Sequence, residues 1–162
     1  MINTSAIDIF LIVNDMLDMA KMEAGKFGLV KEAVDVREII ADRIDFYQVQ
    51  ATLKNLQFAH MVDEAVPDAV ELDPMRIRQA LNNLISNALK FTEPGGTITI
   101  HALHHVAGED LVKEAAALGW EWFVTEADER LRSAPDSVLM AVSHPEQGIP
   151  KEQISEIFSV YK

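Results

Sequence analysis

The sequence predicts an α+β fold, in which helices pack on a mixed, mainly antiparallel sheet. Apolar residues recur every three or four positions in residues 36–54 and 73–89, which is the spacing of amphipathic helices. Apolar and polar residues alternate in residues 97–103, which indicates a half-buried strand. The chain has 162 residues, of which 49% are apolar, so it is long enough to bury one core.

A first helix is predicted over residues 5–24, because five apolar residues recur there at helical spacing. This helix either packs on its own domain or pairs with a partner helix, and the sequence leaves both interpretations open. The apolar stripe consists of Ile9, Ile12, Val13, Met16 and Ala20.

A second helix is predicted over residues 36–54, with Asp35 as its N-cap and Asn55 at its end. Strands are predicted to follow over residues 56–62 and 70–72. The helix residues expected to face the core are Ile39, Ile40, Ile44, Tyr47 and Leu53.

A third helix is predicted to begin at Asp73-Pro74 and to run to about Leu89, because aspartate caps free amides and proline suits the first helical position. Pro94-Gly95-Gly96 predicts a turn before the strand at 97–103. The buried face of this helix is expected to contain Ile77, Leu81, Leu84, Ile85 and Ala88.

The stretch 104–137 carries weaker signals. It predicts a short helix over 109–118, a strand over 120–124 and a helical turn over 126–132. The aromatic residues Trp120, Trp122 and Phe123 are expected to pack on the sheet, with an exposed partner surface as the alternative. A buried strand over 138–142 and a short helix over 151–158 complete the prediction.

The charge balance limits the classes of partner. The formal net charge is −12, which disfavours nucleic acid and anionic membranes, since both attract clustered Lys and Arg. The longest N-terminal apolar run is Ile9 to Val13, too short for a membrane span, and no secretory signal precedes it. We therefore expect a cytoplasmic protein without membrane insertion.

The sequence contains no cysteine, so cysteine-based metal or nucleophile chemistry is excluded.

The polar side of the third helix contains the residues that indicate a chemical function. Asn83 and Asn87 are four residues apart, and Lys90 follows three residues later, so all three project from one side. Amide oxygens suit Mg²⁺, which usually shares substrate phosphates, and an ammonium group neutralises phosphate charge. On spacing alone, an ordinary solvated helix face explains the same residues.

A longer sequence pattern favours the nucleotide-binding interpretation over an ordinary solvated helix face. Residues 73–79 and 83–92, followed by Gly95-Gly96, closely resemble the N box of sensor histidine kinases of two-component systems. Residues 14–25 resemble the end of the second helix of that family's dimerisation hairpin. Residues 148–150, with Ile157-Phe158, resemble the end of the G1 box and the start of the F box.

The resemblance implies a histidine-kinase-like (Bergerat-type) ATPase sandwich over residues 29–162, preceded by the second hairpin helix over residues 1–28. It implies ATP and Mg²⁺ as cofactors. Asn87 would ligate Mg²⁺, Asn83 would support the metal and phosphates, Lys90 would meet phosphate, and Phe91 would lie near the adenine. Such sites act through positioning and charge stabilisation.

The chain departs from the family pattern at the G1 box, which normally reads Asp-x-Gly-x-Gly-Ile. His144 occupies the Asp position and Glu146 the first Gly position, while Gly148 is retained. The Asp normally accepts the adenine amino proton. Losing a charged hydrogen bond costs about 2–3 kcal/mol, on the order of a hundredfold in affinity.

Two further departures concern the termini. The match ends at the F box, before the family's glycine-rich lid, and none of the five histidines occupies the phosphoacceptor position. We expect a weakened or inactive nucleotide-binding module that acts as a regulatory or pseudokinase part. It would form a homodimer, or bind a kinase or response-regulator partner, through its N-terminal helix. The alternatives are a non-enzymatic dimerisation module and a competent kinase that phosphorylates a histidine in trans.

Overall fold

The computed structural model describes residues 28–120 and 134–145. The chain divides into two compact units, residues 1–31 and 32–162, and the fold below is that of the second unit. Among the described residues, no helix is both long enough and apolar enough to cross a membrane. The following predicted features lie outside these residues: the helices over 5–24 and 151–158, most of the strand over 120–124, the helical turn over 126–132, Trp122, Phe123, Glu146 and Gly148.

The described residues form both strands and helices, and the predicted α+β class is confirmed. Strand β1 pairs with β3 in an antiparallel ribbon, while a second sheet has the order β2-β4-β5. In that sheet β2 runs parallel to β4, and β5 runs antiparallel to it. The elements are β1 (Glu32–Val34), α1 (Val36–Leu53), β2 (Gln57–Val62), β3 (Val70–Leu72), α2 (Pro74–Phe91), β4 (Thr97–His105), α3 (Leu111–Ala117) and β5 (Ser137–Ser143).

Both long helices begin at the predicted caps. An Asp35 oxygen accepts from the Arg37 amide at 2.8 Å. The Asp73 Oδ1 atom accepts from the amides of Met75 and Arg76, each at 3.1 Å. Each bond satisfies amides that the first helical turn leaves without a partner. Asn55, just beyond α1, has a φ of 56°, a left-handed conformation that ends a helix and that asparagine tolerates.

The core lies between the two long helices and the inner face of β2-β4-β5. The alternation predicted for β4 is confirmed, because Ile98, Ile100 and Ala102 are all fully buried. Other fully or almost fully buried core residues are Val36, Ile39, Ile40, Ala51, Val66, Leu81, Ile85 and Ala88.

Two leucines predicted to face the core do not. Leu53 is 82% exposed and Leu84 is 46% exposed. In the last turn of α1 the inward residue is Ala51, and Leu53 lies about 200° around the helix from it. In α2 the inward residue is Ile85, which lies about 100° from Leu84.

Two adjacent histidines, His104 and His105, lie at the end of β4, and His105 is on the outer face of the sheet. His105 is 1% exposed, and its Nδ1 atom donates to a Glu114 carboxylate oxygen of α3 at 2.9 Å. Because β4 alternates, His104 points away from this contact. Within residues 28–120 and 134–145, no three histidine or acidic side chains are grouped so that they could hold a metal ion.

The expectation that Trp120 packs on the sheet is confirmed. Its ring meets the ring of His101 edge to face, with centroids 4.8 Å apart and planes at 82°. The His101 Nε2 atom also lies 2.8 Å from Ser143 Oγ on β5. The predicted short helix before Trp120 is present as α3.

We predict that His101 makes stability fall with acid. Burial lowers the pKa of His101 from its ordinary value of 6.5. Below about pH 6.5 the unfolded chain therefore binds a proton that the folded chain binds only at a lower pH, so the free energy of unfolding decreases. Denaturant melts between about pH 7.5 and 5.5 should show a smaller loss for His101→Gln than for the unmodified chain. Leu53→Gln, at an exposed position of α1, is the control and should keep the unmodified pH dependence, because it removes no titratable group. Equal losses in all three proteins would contradict this account.

Candidate functional site

The candidate site is built on α2, whose two sides differ in chemistry. Leu81, Ile85 and Ala88 are buried against the sheet, while Asn83, Asn87 and Lys90 are all exposed. The structure therefore places the three predicted polar residues together on the solvent side of one helix. Their side chains are accessible to a ligand.

A neighbouring amide has a structural task instead. Asn82 Oδ1 accepts from Arg43 Nη1 at 3.2 Å, which joins α1 to α2. Within the described part of the chain, the side chains of Asn83 and Asn87 form no hydrogen bonds. Their amide groups are therefore not committed to the fold there, and both can serve a metal-bound nucleotide.

Cationic and aromatic groups lie at the C-terminal end of α2. Lys90 Nζ lies over the Phe91 ring, 5.1 Å from its centroid, and Phe91 is 54% exposed. The ammonium of Lys54 donates to the Leu89 carbonyl at 2.7 Å, so this second cation stabilises the helix end. Lys90 and Phe91 together offer a charge and a flat apolar surface beside the amides.

A tight turn follows α2 and approaches the end of β5. Gly95 has a φ of 94°, and its amide donates to Asn55 O at 2.7 Å. A Cβ atom placed on Gly96 would lie 2.5 Å from Thr92 Cγ2 and 3.3 Å from Pro145 Cγ. A side chain at residue 96 would thus meet both Thr92 and the residue that follows His144.

His144 lies directly after β5, at the position where the family pattern has Asp. Its Nδ1 atom is buried and has no hydrogen-bond partner within residues 28–120 and 134–145. A buried polar atom without a partner is costly, and an imidazole nitrogen can either accept or donate. This nitrogen therefore leaves one hydrogen bond for a group outside the described residues. In the same residues, no hydrogen bond or ion pair joins His144 to Asn83, Asn87 or Lys90.

An apolar groove of about 440 Å³ opens on a different side of α2. It lies between α2, β3 and β5 and is lined in part by Leu72, Ile77, Leu84 and Met140. None of the predicted site residues lines it, so the groove and the polar side of α2 are separate features. The sequence did not predict this groove, because its walls come from three distant segments.

Known proteins resemble the chain both in sequence and in fold. Histidine kinase 3 of Arabidopsis thaliana is 31% identical over 170 residues, which cover 93% of this chain and 16% of that kinase. Full-length ShkA, solved in complex with AMPPNP, has a TM-score of 0.56 and 30% identity, covering 64% of this chain and 22% of ShkA. Histidine kinase ThkA, solved in complex with the response regulator TrrA, has a TM-score of 0.62 and 21% identity, covering 98% of this chain and 37% of ThkA.

The fold and these similarities define an ATPase domain of the sensor histidine kinase type. Residues 72–162 match the family described as histidine kinase-, DNA gyrase B-, and HSP90-like ATPase, and the chain belongs to that family. Histidine kinase 3 and the sensor protein GacS of Pseudomonas syringae pv. syringae are much longer, since the chain spans 16% and 12% of their respective lengths.

We predict that Gly96→Ala destabilises the fold and disturbs the end of β5. The new methyl group would overlap the Thr92 methyl, whose side chain is held by a 2.7 Å bond from Thr92 Oγ1 to the Ala88 carbonyl. Relieving this overlap should cost about 1–3 kcal/mol in the free energy of unfolding, measured by denaturant melts. Gly28→Ala is the matched control, because a Cβ there meets nothing within 4 Å. A Gly96→Ala protein as stable as Gly28→Ala would show that the turn adapts freely.

Proposed function

We propose that this chain binds Mg-ATP along the polar side of α2, with weakened affinity, as a regulatory part of a two-component kinase. The observation that supports this most strongly is the exposed set Asn83, Asn87 and Lys90, held outward by burial of the opposite side of the same helix. The amides form no hydrogen bonds to the described residues, so ligand binding breaks no bond of the fold there.

Each of these side chains has a distinct task in the proposed site. The Asn87 carbonyl oxygen is a neutral, hard ligand for Mg²⁺, and Asn83, one turn earlier, supports the metal and phosphates. The Lys90 ammonium binds phosphate oxygens. When bound, Mg-ATP supplies a phosphoryl group whose charge the metal partly neutralises. The protein supplies position and local positive charge.

The adenine end is where we infer weakened binding. His144 replaces the Asp of the family pattern, and its buried Nδ1 atom can accept one bond from the adenine amino group. A neutral nitrogen makes a weaker bond than a carboxylate does. Glu146 adds a negative side chain where the pattern has glycine. Phe91, at the end of α2, provides the apolar surface for the base.

The solved relatives support both the ligand and the partner. ShkA, at 30% identity, was solved with AMPPNP, which resembles ATP. ThkA, which shares the fold, was solved with the response regulator TrrA. We infer that this chain takes part in a comparable assembly, either as a homodimer or with a kinase or response-regulator partner, through the helix predicted within residues 1–28.

We predict that Asn87→Ala weakens Mg-ATP binding by at least about tenfold, because it removes the proposed metal ligand from an exposed position without disturbing the core. A fluorescent ATP analogue titrated in the presence of Mg²⁺ measures the dissociation constant. Ser86→Ala is the matched control: the residue is exposed and adjacent, and its hydroxyl donates to the Asn83 backbone carbonyl at 3.1 Å. Its affinity should equal that of the unmodified chain.

Two outcomes of this titration would count against the proposal. If Ser86→Ala weakens Mg-ATP binding as much as Asn87→Ala does, the loss of affinity comes from a disturbed helix and not from the missing Asn87 amide. Saturable binding that is unchanged in Asn87→Ala would place the nucleotide elsewhere.

We further predict that His144→Asp tightens adenine nucleotide binding by about tenfold to a hundredfold, because a carboxylate makes a charge-assisted bond to the amino group. Competition of ATP and GTP against the fluorescent analogue separates base recognition from phosphate binding, since only ATP should gain. His60→Asp adds the same charge at an exposed site and should change neither affinity. An equal gain for GTP would exclude a role for residue 144 in reading the base.

A non-enzymatic interaction module is the second candidate. Phe46, Val49 and Leu53 are 59%, 70% and 82% exposed, and they form an apolar stripe on α1. Such a stripe is typical of a helix that contacts another protein. A chain that binds no Mg-ATP, even after His144→Asp, but sediments as a dimer would favour this candidate.

A further inference from the structure

The outer face of the sheet carries the segment that joins β4 to β5. Its helix α3 is anchored by the His105–Glu114 bond of 2.9 Å, in which the histidine is 1% exposed. Beside this anchor, the Ala107 amide donates to Asp136 Oδ1 at 2.7 Å, so the start and the end of the segment are joined. Helix α3 therefore has a defined position on the outer face of the sheet.

The last turn of α3 fixes the position of Trp120. The Trp120 amide donates to Ala115 O at 3.0 Å, and Ala115 is fully buried. The indole ring is thereby held edge-on to His101, at a centroid distance of 4.8 Å. A displacement of α3 must move this ring relative to β4.

His101 continues the contact toward the candidate site. Its Nε2 atom lies 2.8 Å from Ser143 Oγ, across the β4–β5 pair. Ser143 is the last residue of β5, where it stands opposite Thr99, and His144 follows it directly. The residues Trp120, His101 and Ser143 form what we call the outer-face contact chain.

We propose that the outer-face contact chain couples α3 to His144, so that a displacement of α3 changes nucleotide affinity on the other side of the sheet. His101 is then a positioning residue, which acts on the site through Ser143. This regulation rests on the proposed nucleotide site, but the contacts that transmit it are independent of any ligand.

The contacts themselves explain why a displacement would be transmitted along this chain. The ring contact fixes Trp120 against His101, and the 2.8 Å contact fixes His101 against Ser143, so a shift of one residue changes the contact of the next. Burial also lowers the pKa of His101, which keeps its ring neutral near pH 7 and able to share one proton with the Ser143 hydroxyl. The position of the Ser143 side chain constrains the backbone that connects Ser143 to His144.

Histidine amide signals test the coupling without a nucleotide. Selective ¹⁵N-histidine labelling gives one amide signal for each of the five histidines, and His144→Gln identifies the signal of residue 144. We expect Trp120→Ala to shift the signals of both His101 and His144. Trp120→Phe, which keeps an aromatic edge, should leave both near their original positions. Leu118→Ala, at an exposed residue of the same turn, is the control and should shift neither.

A double-mutant cycle with Ser143→Ala separates transmission through contacts from a direct effect of the indole ring. In the Ser143→Ala background, Trp120→Ala should still shift the His101 signal but no longer that of His144. An unmoved His144 signal in Trp120→Ala, or the same shift with and without Ser143, overturns the coupling.

Mg-ATP titration of the same variants measures the consequence for binding. Trp120→Ala and Ser143→Ala should each change the dissociation constant by about threefold to tenfold, and the double variant should change it no further. If no variant binds nucleotide but the amide signals shift as expected in the double-mutant cycle, the proposed function fails and the coupling stands. The coupling is refuted if all variants bind Mg-ATP tightly with the same dissociation constant and the His144 signal does not move. The proposed function would then still stand.

Discussion

The packing of α2 on the inner face of β4 is the interaction on which the candidate site depends. Leu81 and Ile85 on the helix, and Ile100 on the strand, are at most 2% exposed. Burying each such side chain stabilises the fold by about 1.5–3 kcal/mol, whereas turning an asparagine toward solvent costs little. Since successive residues are about 100° apart, the apolar contacts alone determine that Asn83 and Asn87 face outward.

The same helix also organises the end of the site, because its last turn is tied to neighbouring segments. Lys54 bonds to the Leu89 carbonyl, and Thr92 bonds back to Ala88, so the helix stops at a defined place. In the turn that follows, a Cβ atom on Gly96 would meet Thr92 and Pro145. The end of α2 and the end of β5 are thus linked through the turn at Gly96.

The sequence predicted the elements whose signals are local. The caps Asp35 and Asp73, the alternation in β4 and the polar side of α2 all follow from neighbouring residues, and the structure has them. It did not predict β1, because Glu32–Val34 is only three residues long and is a strand by virtue of its pairing with β3. Leu53 was misplaced because the inward direction of a helix's last turn depends on where the sheet lies. The contact between His101 and Ser143 joins residues 42 apart, and no sequence spacing reveals it.

Charge decides how such a site can hold a nucleotide. The chain carries a net −12, so long-range attraction does not bring a triphosphate to it. Acidic groups more than about 8 Å away are largely screened at physiological salt, however, and the local groups dominate. Of the two lysines at the end of α2, Lys54 is committed to a backbone carbonyl and Lys90 lies over Phe91. The Lys90 ammonium alone does not balance the charge of a triphosphate, so a divalent ion supplies a large part of the compensation in the proposed site. The proposed function therefore requires the amide oxygen of Asn87 to act as a metal ligand, and not merely as a hydrogen-bonding group beside the phosphates.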